Sequence, residues 1–113
     1  MLLHKECWFE AAHRLHNTGG PCDRLHGHSY RVLVDIYGKQ NIDNGMVVDF
    51  SKIAEVVKCL DHRYLNDLPQ FQGKPTTAEN IALFLADQLG SLGFSQGKVT
   101  VWETRNNAAT ANL

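Results

Sequence analysis

The chain has 113 residues, of which 11 are basic and 12 acidic, so its formal net charge is -1. This length predicts a single domain over residues 1–113. Hydrophobic residues make up 43% of the chain and charged residues 20%, which is typical of a globular protein. The balanced charge argues against a nucleic-acid-binding surface. No apolar run reaches the ~20 residues of a membrane-spanning helix, so we expect no membrane partner.

The chain has three cysteines, Cys7, Cys22 and Cys59. An odd and low number of cysteines does not fit a disulfide framework. The first residues also lack the apolar core of a secretory signal peptide, and we therefore expect a cytoplasmic protein. Free cysteines are often buried as small hydrophobic residues, and this is our expectation for Cys7 and Cys59.

The first half of the chain predicts two strands and a helix. Residues 2–12 mix apolar and polar side chains and predict a strand, and residues 29–37 are rich in β-branched and aromatic side chains. Residues 46–48 extend this predicted sheet briefly. Asp49 is a suitable N-cap for a helix that reaches about Leu60.

The second half predicts another helix and a last strand. Thr76 and Glu79 fit a capping box, with Thr76 as the N-cap. Gly90 and Gly93 mark the end of this helix, and residues 98–104 alternate as a strand. The tail, residues 106–113, is small and polar and is left unassigned. Two helices with apolar faces need a sheet to cover, so the pattern predicts an α+β fold with both helices on one face of a mostly antiparallel sheet.

A candidate metal site lies in the segment His26-Gly-His28. Two imidazoles separated by one residue of an extended chain point to the same side, and a catalytic zinc ion needs three protein ligands and one open position. His13, at the end of the first predicted strand, is the best third ligand. His16 competes with it, and two exposed histidines without a metal remain the alternative.

Cys22 lies four residues before His26. A thiolate in the fourth position would close the zinc site and make it structural. A cysteine near the metal but not bound to it would instead be a nucleophile or base, because the cation lowers the pKa of the thiol. Spacing alone leaves both possibilities open.

Three further residues are candidates for a site. Asp61 beside His62 could orient the imidazole as a proton carrier, although a histidine near a helix C-terminus is also favoured by the helix dipole. Glu103, near the end of the last strand, is either a solvated carboxylate or one that binds a guanidine-like edge of a heterocycle through paired hydrogen bonds.

Taken in order along the chain, these motifs resemble the 6-pyruvoyl-tetrahydropterin synthase family. The matching segments are Phe9-Glu-Ala-Ala-His13, Cys22-x-x-x-His26-Gly-His28, Val48-Asp-Phe50, Leu60-Asp-His62-x-Tyr-Leu-Asn66, Thr77-Ala-Glu-Asn80 and Glu103-Thr104. The resemblance implies the tunnelling fold, in which a unit of two helices and a four-stranded sheet joins its copies into a barrel. It also implies a trimer or a hexamer with sites between subunits.

The resemblance assigns a role to each candidate residue. It implies that the zinc ligands are His13, His26 and His28, that the catalytic residues are Cys22, Asp61 and His62, and that the substrate-binding residues are Glu103, Thr77 and Glu79.

The three residues between Cys22 and His26 resemble the bacterial 6-carboxytetrahydropterin synthase branch of queuosine biosynthesis, since the pyruvoyl-forming branch has a longer insertion there. The implied substrate is the pterin triphosphate 7,8-dihydroneopterin triphosphate. The implied products are 6-carboxy-5,6,7,8-tetrahydropterin, acetaldehyde and triphosphate. The alternatives are the pyruvoyl-forming activity on the same site and, from another class, a non-catalytic zinc domain.

Overall fold

The computed structural model describes residues 1–113 as one five-stranded sheet with two helices on one face. The elements are β1 (Leu2–His13), β2 (His26–Tyr37), α1 (Phe50–Lys58), β3 (Arg63–Tyr64), α2 (Ala78–Ser91), β4 (Gly97–Trp102) and β5 (Ala108–Asn112). The strand order is β3-β1-β2-β4-β5, and only the β1–β3 pair is parallel. The α+β prediction is confirmed, whereas the expected number of strands, four, was wrong. Neither helix is long and apolar enough to cross a bilayer.

The long hairpin of β1 and β2 positions the candidate site. Its register runs from Leu2 opposite Tyr37 to His13 opposite His26. Because side chains alternate between the faces of a sheet, the residues that share the helix-covered face with His13 and His28 form the core. Phe9 stacks on Tyr30 there, with ring centroids 4.6 Å apart. The register therefore brings histidines that are distant in sequence to one end of the hairpin.

Both helices pack apolar residues against this face. The fully buried aliphatic residues of the core include Val32, Val34, Ile36, Ile53, Ile81, Leu85, Leu89, Val99 and Val101. Burying one such side chain stabilises the fold by about 1.5–3 kcal/mol.

Helix α1 begins as the sequence predicts. The carboxylate of Asp49, the N-cap, accepts a hydrogen bond from the Ser51 amide at 2.9 Å. The helix ends at Lys58, two residues before the predicted end at Leu60. Residues 46–48, predicted as a short strand, lie in irregular structure.

Helix α2 is capped by a different threonine from the predicted one. Thr77 is the N-cap and accepts a hydrogen bond from the Asn80 amide at 3.2 Å. The prediction of Thr76 as the cap was wrong because Thr76 is fully buried against His13. The helix continues to Ser91, so Gly90 lies inside its last turn.

The tail left unassigned by the sequence forms β5. It pairs with β4, with Thr110 opposite Thr100, and buries Ala111 against the core. Small side chains have low strand propensity. Here the pairing with β4 and the packing of Ala111 against the core determine the conformation.

Candidate functional site

Three imidazoles meet where the β1–β2 hairpin ends. The ligand atoms of His13, His26 and His28 all lie within 4.8 Å of one another. His13 is fully buried, and the other two are half-buried. This group can hold a metal ion.

Two of the imidazoles are oriented by backbone carbonyls. His13 Nδ1 donates to the Thr76 carbonyl oxygen at 2.7 Å, and His26 Nδ1 donates to the Arg24 carbonyl oxygen at 2.7 Å. When Nδ1 carries the proton, Nε2 carries a lone pair. A carbonyl on the remote nitrogen is the usual way in which a metal-binding imidazole is held.

The two Nε2 atoms of His13 and His26 are 3.0 Å apart. Two lone pairs at this distance repel each other unless a cation lies between them. Imidazole nitrogens bound tetrahedrally to zinc at 2.0–2.1 Å lie about 3.3 Å apart. The observed separation therefore fits a metal ion held by both atoms.

The third imidazole has a free nitrogen in the same place. His28 Nε2 is buried without a hydrogen-bond partner and lies 3.5 Å from Glu103 Oε1. Buried polar atoms without partners are uncommon in proteins, and a metal ion would provide the missing partner. The set of three nitrogens leaves coordination positions for a small molecule.

Burial prepares the histidines to bind a cation. It lowers the pKa of His13 and of His28. The hydrogen bond from His13 to Thr76 and the charge of the nearby Glu103 carboxylate oppose this effect only in part. Both imidazoles are therefore neutral at neutral pH, which is the form that binds metals.

Tyr30 completes the wall of the metal group and was not among the predicted site residues. Its ring lies edge-on to His28, with centroids 5.4 Å apart, and its buried hydroxyl has no hydrogen-bond partner. Burial, together with the charge of Glu103, raises the pKa of this hydroxyl well above its usual range. The period of two along β2 places Tyr30 on the same face as His28, and that signal could have indicated it.

Asp61 and His62 form an ion pair in the turn after α1. His62 Nδ1 lies 2.8 Å from Asp61 Oδ2, and His62 has a positive φ of 57°. The Glu10 amide donates to Asp61 Oδ1 at 2.8 Å, and the His62 amide donates to the Glu10 carbonyl at 2.6 Å. The hydrogen bond from Glu10 lowers the pKa of Asp61 most, followed by the bond from His62. The Asp61 carboxylate is thus stabilised in its charged form and tied to β1.

A cavity of about 530 Å³ is lined both by His28 of the metal group and by His62 of this pair. His28 lines it on one side and His62, Arg63 and Tyr64 on the other. His62 is largely exposed, with 80% of its side chain accessible, so it can exchange protons with a bound molecule.

Cys22 lies outside this arrangement within one chain. It is exposed in a 3₁₀ turn, Pro21–Asp23, and lines neither this cavity nor the histidine group. Its carbonyl accepts a hydrogen bond from the Leu15 amide at 2.8 Å. The neighbouring Asp23 carboxylate accepts hydrogen bonds from the hydroxyl and amide of Thr18 at 2.6 and 3.0 Å. The loop that carries the thiol is therefore well held.

The remaining predicted residues have different environments. Thr77 caps α2 and lines a groove behind His13, and Glu79 is exposed on the first turn of the same helix. Cys7 is buried as predicted, whereas Cys59 is exposed, so that prediction was wrong. Cys59 follows the last residue of α1, on the turn that leads to Asp61.

The sequence matches the family model described as 6-pyruvoyl tetrahydropterin synthase over residues 2–112. The chain is 38% identical to the 6-carboxy-5,6,7,8-tetrahydropterin synthase of a Synechocystis species, over 96% of this chain and 90% of that protein. It is 35% identical to the 6-pyruvoyl tetrahydrobiopterin synthase of Dictyostelium discoideum, over 88% of this chain and 86% of that protein.

A solved structure has the same fold. The 6-pyruvoyl tetrahydropterin synthase of Caenorhabditis elegans superposes with a TM-score of 0.80 at 29% identity, over all of this chain and 95% of the other. Together with the match over nearly the whole sequence, this likeness shows that the chain is an enzyme of the 6-pyruvoyl tetrahydropterin synthase family.

Proposed function

We propose that this protein is a zinc-dependent 6-carboxytetrahydropterin synthase. It converts 7,8-dihydroneopterin triphosphate to 6-carboxy-5,6,7,8-tetrahydropterin, with release of acetaldehyde and triphosphate, in queuosine biosynthesis. The observation that carries the proposal is the cavity shared by His28 and His62, because it joins a metal-binding group to an acid–base pair.

The metal is proposed to be zinc because the donor set consists of three imidazoles. Zinc binds imidazole readily and, with three protein ligands, keeps an open position for a substrate. When bound, the ion supplies Lewis-acid polarisation of the oxygens on the substrate side chain.

The chain's own residues move the protons. Cys22, as the thiolate, removes a carbon-bound proton next to the pterin ring. His62 returns protons on the other face, and Asp61 holds its imidazole in position and stabilises the charged form. The short Asp61–His62 contact and its attachment to Glu10 support this role.

The pterin ring is proposed to bind through a carboxylate near the metal. Glu103 is half-buried beside His28 and can accept paired hydrogen bonds from the guanidine-like edge of the ring. Thr77 and Glu79, at the start of α2, line the approach to the pterin from the other side.

The separation of Cys22 from the His28–His62 cavity supports a site between subunits. We propose that the chain assembles as a trimer or a hexamer, so that a neighbouring copy completes the site. The three free cysteines are in keeping with a reducing compartment such as the cytoplasm.

Product analysis tests the proposal. Purified zinc-loaded protein is incubated with 7,8-dihydroneopterin triphosphate, and acetaldehyde and the pterin products are quantified. We expect acetaldehyde and the carboxylated pterin in equal amounts. A pyruvoyl product without acetaldehyde would contradict the carboxy-forming reaction and support the second activity, which occurs among the relatives.

A further inference from the structure

A second cavity lies behind the metal group. It has a volume of about 740 Å³ and runs between residues 14–18, which follow β1, and residues 71–77, which precede α2. This volume is typical of small-molecule sites. We refer to it as the Arg14–Lys74 groove, after the two charged side chains that line it.

Both charged side chains of the groove are cationic. Arg14 belongs to the segment that follows β1 and Lys74 to the segment that precedes α2, and His16 lines the groove two residues after Arg14. Neither Arg14 nor Lys74 forms an ion pair within the chain. Two unpaired cations on the two segments attract a ligand that carries several negative charges along its length.

Backbone donors add to this attraction. His16, Asn17 and Gly73 line the groove, and their amides donate no hydrogen bond within the chain. Asn17 and Gly73 have positive φ angles of 64° and 75°. Turns of this kind present amides around anion-binding concavities.

The groove adjoins the metal group at three points. Arg14 follows the candidate ligand His13 directly. Thr77 lines the groove and follows Thr76, whose carbonyl accepts the hydrogen bond from His13. Tyr64 lines both the groove and the His28–His62 cavity. A molecule bound at the metal can therefore extend past Tyr64 into the groove.

We propose that the Arg14–Lys74 groove binds a linear polyphosphate, which in the proposed reaction is the triphosphate end of the substrate. The planar guanidinium of Arg14 suits paired hydrogen bonds to phosphate oxygens, and the ammonium of Lys74 acts as a point charge. This inference rests on the proposed function for the identity of the substrate, but not for the chemistry of the groove.

A direct binding measurement tests the groove. Inorganic tripolyphosphate is titrated into the metal-loaded and the metal-free protein by calorimetry, because a groove outside the ligand set binds it in both forms. We expect Arg14→Gln and Lys74→Gln each to weaken binding about tenfold, the worth of one charge-assisted hydrogen bond. The matched control is Lys52→Gln, which removes an exposed cation on α1 outside the groove. Circular dichroism checks that each variant is folded.

Steady-state kinetics separate the groove from the reaction. The two groove variants should lower kcat/KM about tenfold with 7,8-dihydroneopterin triphosphate. They should leave unchanged the affinity for unphosphorylated 7,8-dihydroneopterin, which has no triphosphate to release and serves as a binding control. If the wild type binds tripolyphosphate through Arg14 and Lys74 but does not act on the pterin, the groove stands and the proposed function fails. If the wild type is active and both groove variants have the same tripolyphosphate affinity and kcat/KM as Lys52→Gln, the groove proposal is overturned.

Discussion

Each histidine of the metal group contacts a different polar neighbour. His13 is oriented by the Thr76 carbonyl, His26 by the Arg24 carbonyl, and His28 lies beside Glu103. The spacing of the histidines and the period of the strands indicate which side chains meet. The sequence could not indicate the two carbonyls, because their positions depend on loops whose conformation has no simple pattern.

Replacing Cys22 tests whether its thiol is catalytic or is a structural ligand of the metal. In Cys22→Ala we expect the metal to stay bound, because the ligand group consists of the three histidines. Turnover should fall about 10²- to 10⁴-fold, the usual contribution of an acid–base group. Metal content is measured by elemental analysis and turnover by product formation. The control is Cys59→Ala, an exposed cysteine next to α1. Loss of metal together with unfolding would indicate a structural zinc site.

The buried imidazoles make the metal-free protein sensitive to pH. Burial lowers the pKa of His13 and His28, so below about pH 6.5, the pKa of an unperturbed histidine, the unfolded chain binds more protons than the folded one. The free energy of unfolding should therefore fall as the pH drops below about 6.5. Carboxyl groups with a lowered pKa, such as Asp61, change the free energy of unfolding only at lower pH, near or below about 4.

Urea unfolding of the metal-free protein at about pH 5 and at about pH 7.5 measures this dependence, because the two pH values lie on either side of the histidine pKa. His28→Gln should reduce the difference between the two values, and His16→Gln, an exposed residue, should leave it unchanged. Equal free energies of unfolding at both pH values in the wild type would contradict the prediction.

Among the elements, the long strands and both helices follow from the sequence, and the short or small-residue elements do not. The mixture of apolar and polar side chains predicts β1, the β-branched and aromatic side chains predict β2, and the apolar faces predict α1 and α2. β3 has two residues, Arg63–Tyr64, and exists because Ala11 and Ala12 of β1 pair with it. β5 likewise depends on β4. Such elements are imposed by their neighbours, so their own composition contains no signal for them.

The start of α2 supports a prediction about the correct cap. Thr77→Ala should destabilise the protein by about 1 kcal/mol, because it removes the side chain that accepts the Asn80 amide. Thr77→Ser keeps this acceptor and should retain most of the stability. Chemical denaturation measures both variants. Equal losses in the two variants would show that the methyl group of Thr77, rather than its hydroxyl, stabilises the helix.

At the scale of the molecule, the sheet has two free edges. β5 pairs only with β4. β1 pairs with β3 only at Ala11 and Ala12 and bonds Asp61 and His62 at Glu10, which leaves the outer side of residues 2–9 without a strand partner in the chain. Free edges of this kind are templates for pairing with another chain. They are consistent with the proposed trimer or hexamer.

One residue of β5 allows the free edge to be blocked without disturbing the sheet. The Glu103 amide donates to Asn107 and the Leu113 amide to Gly97. Because hydrogen-bonded pairs alternate along an antiparallel ladder, the amide of Thr110, which is opposite Thr100, points away from β4. Of the backbone groups, proline at this position removes only the outward donor.

We therefore expect Thr110→Pro to convert the assembly to monomers. Thr110→Val, which loses the hydroxyl contact with Thr100 but keeps the amide, should assemble like the wild type. Light scattering during gel filtration gives the masses. A monomeric wild type would contradict the proposed assembly, and a wild-type mass for Thr110→Pro would show that this edge is not the interface.

The attachment of Asp61 and His62 to Glu10 has a mechanical consequence. The same strand that bonds them at Glu10 ends three residues later at His13, a span of about 10 Å along the strand. β1 thus fixes the distance between the proposed proton-carrying pair and the candidate metal ligand His13. Thermal motion that displaces one end displaces the other with it, so their spacing persists when the surrounding loops fluctuate. The Glu10 amide should accordingly exchange its hydrogen for deuterium more slowly than its place at the edge of a sheet would suggest.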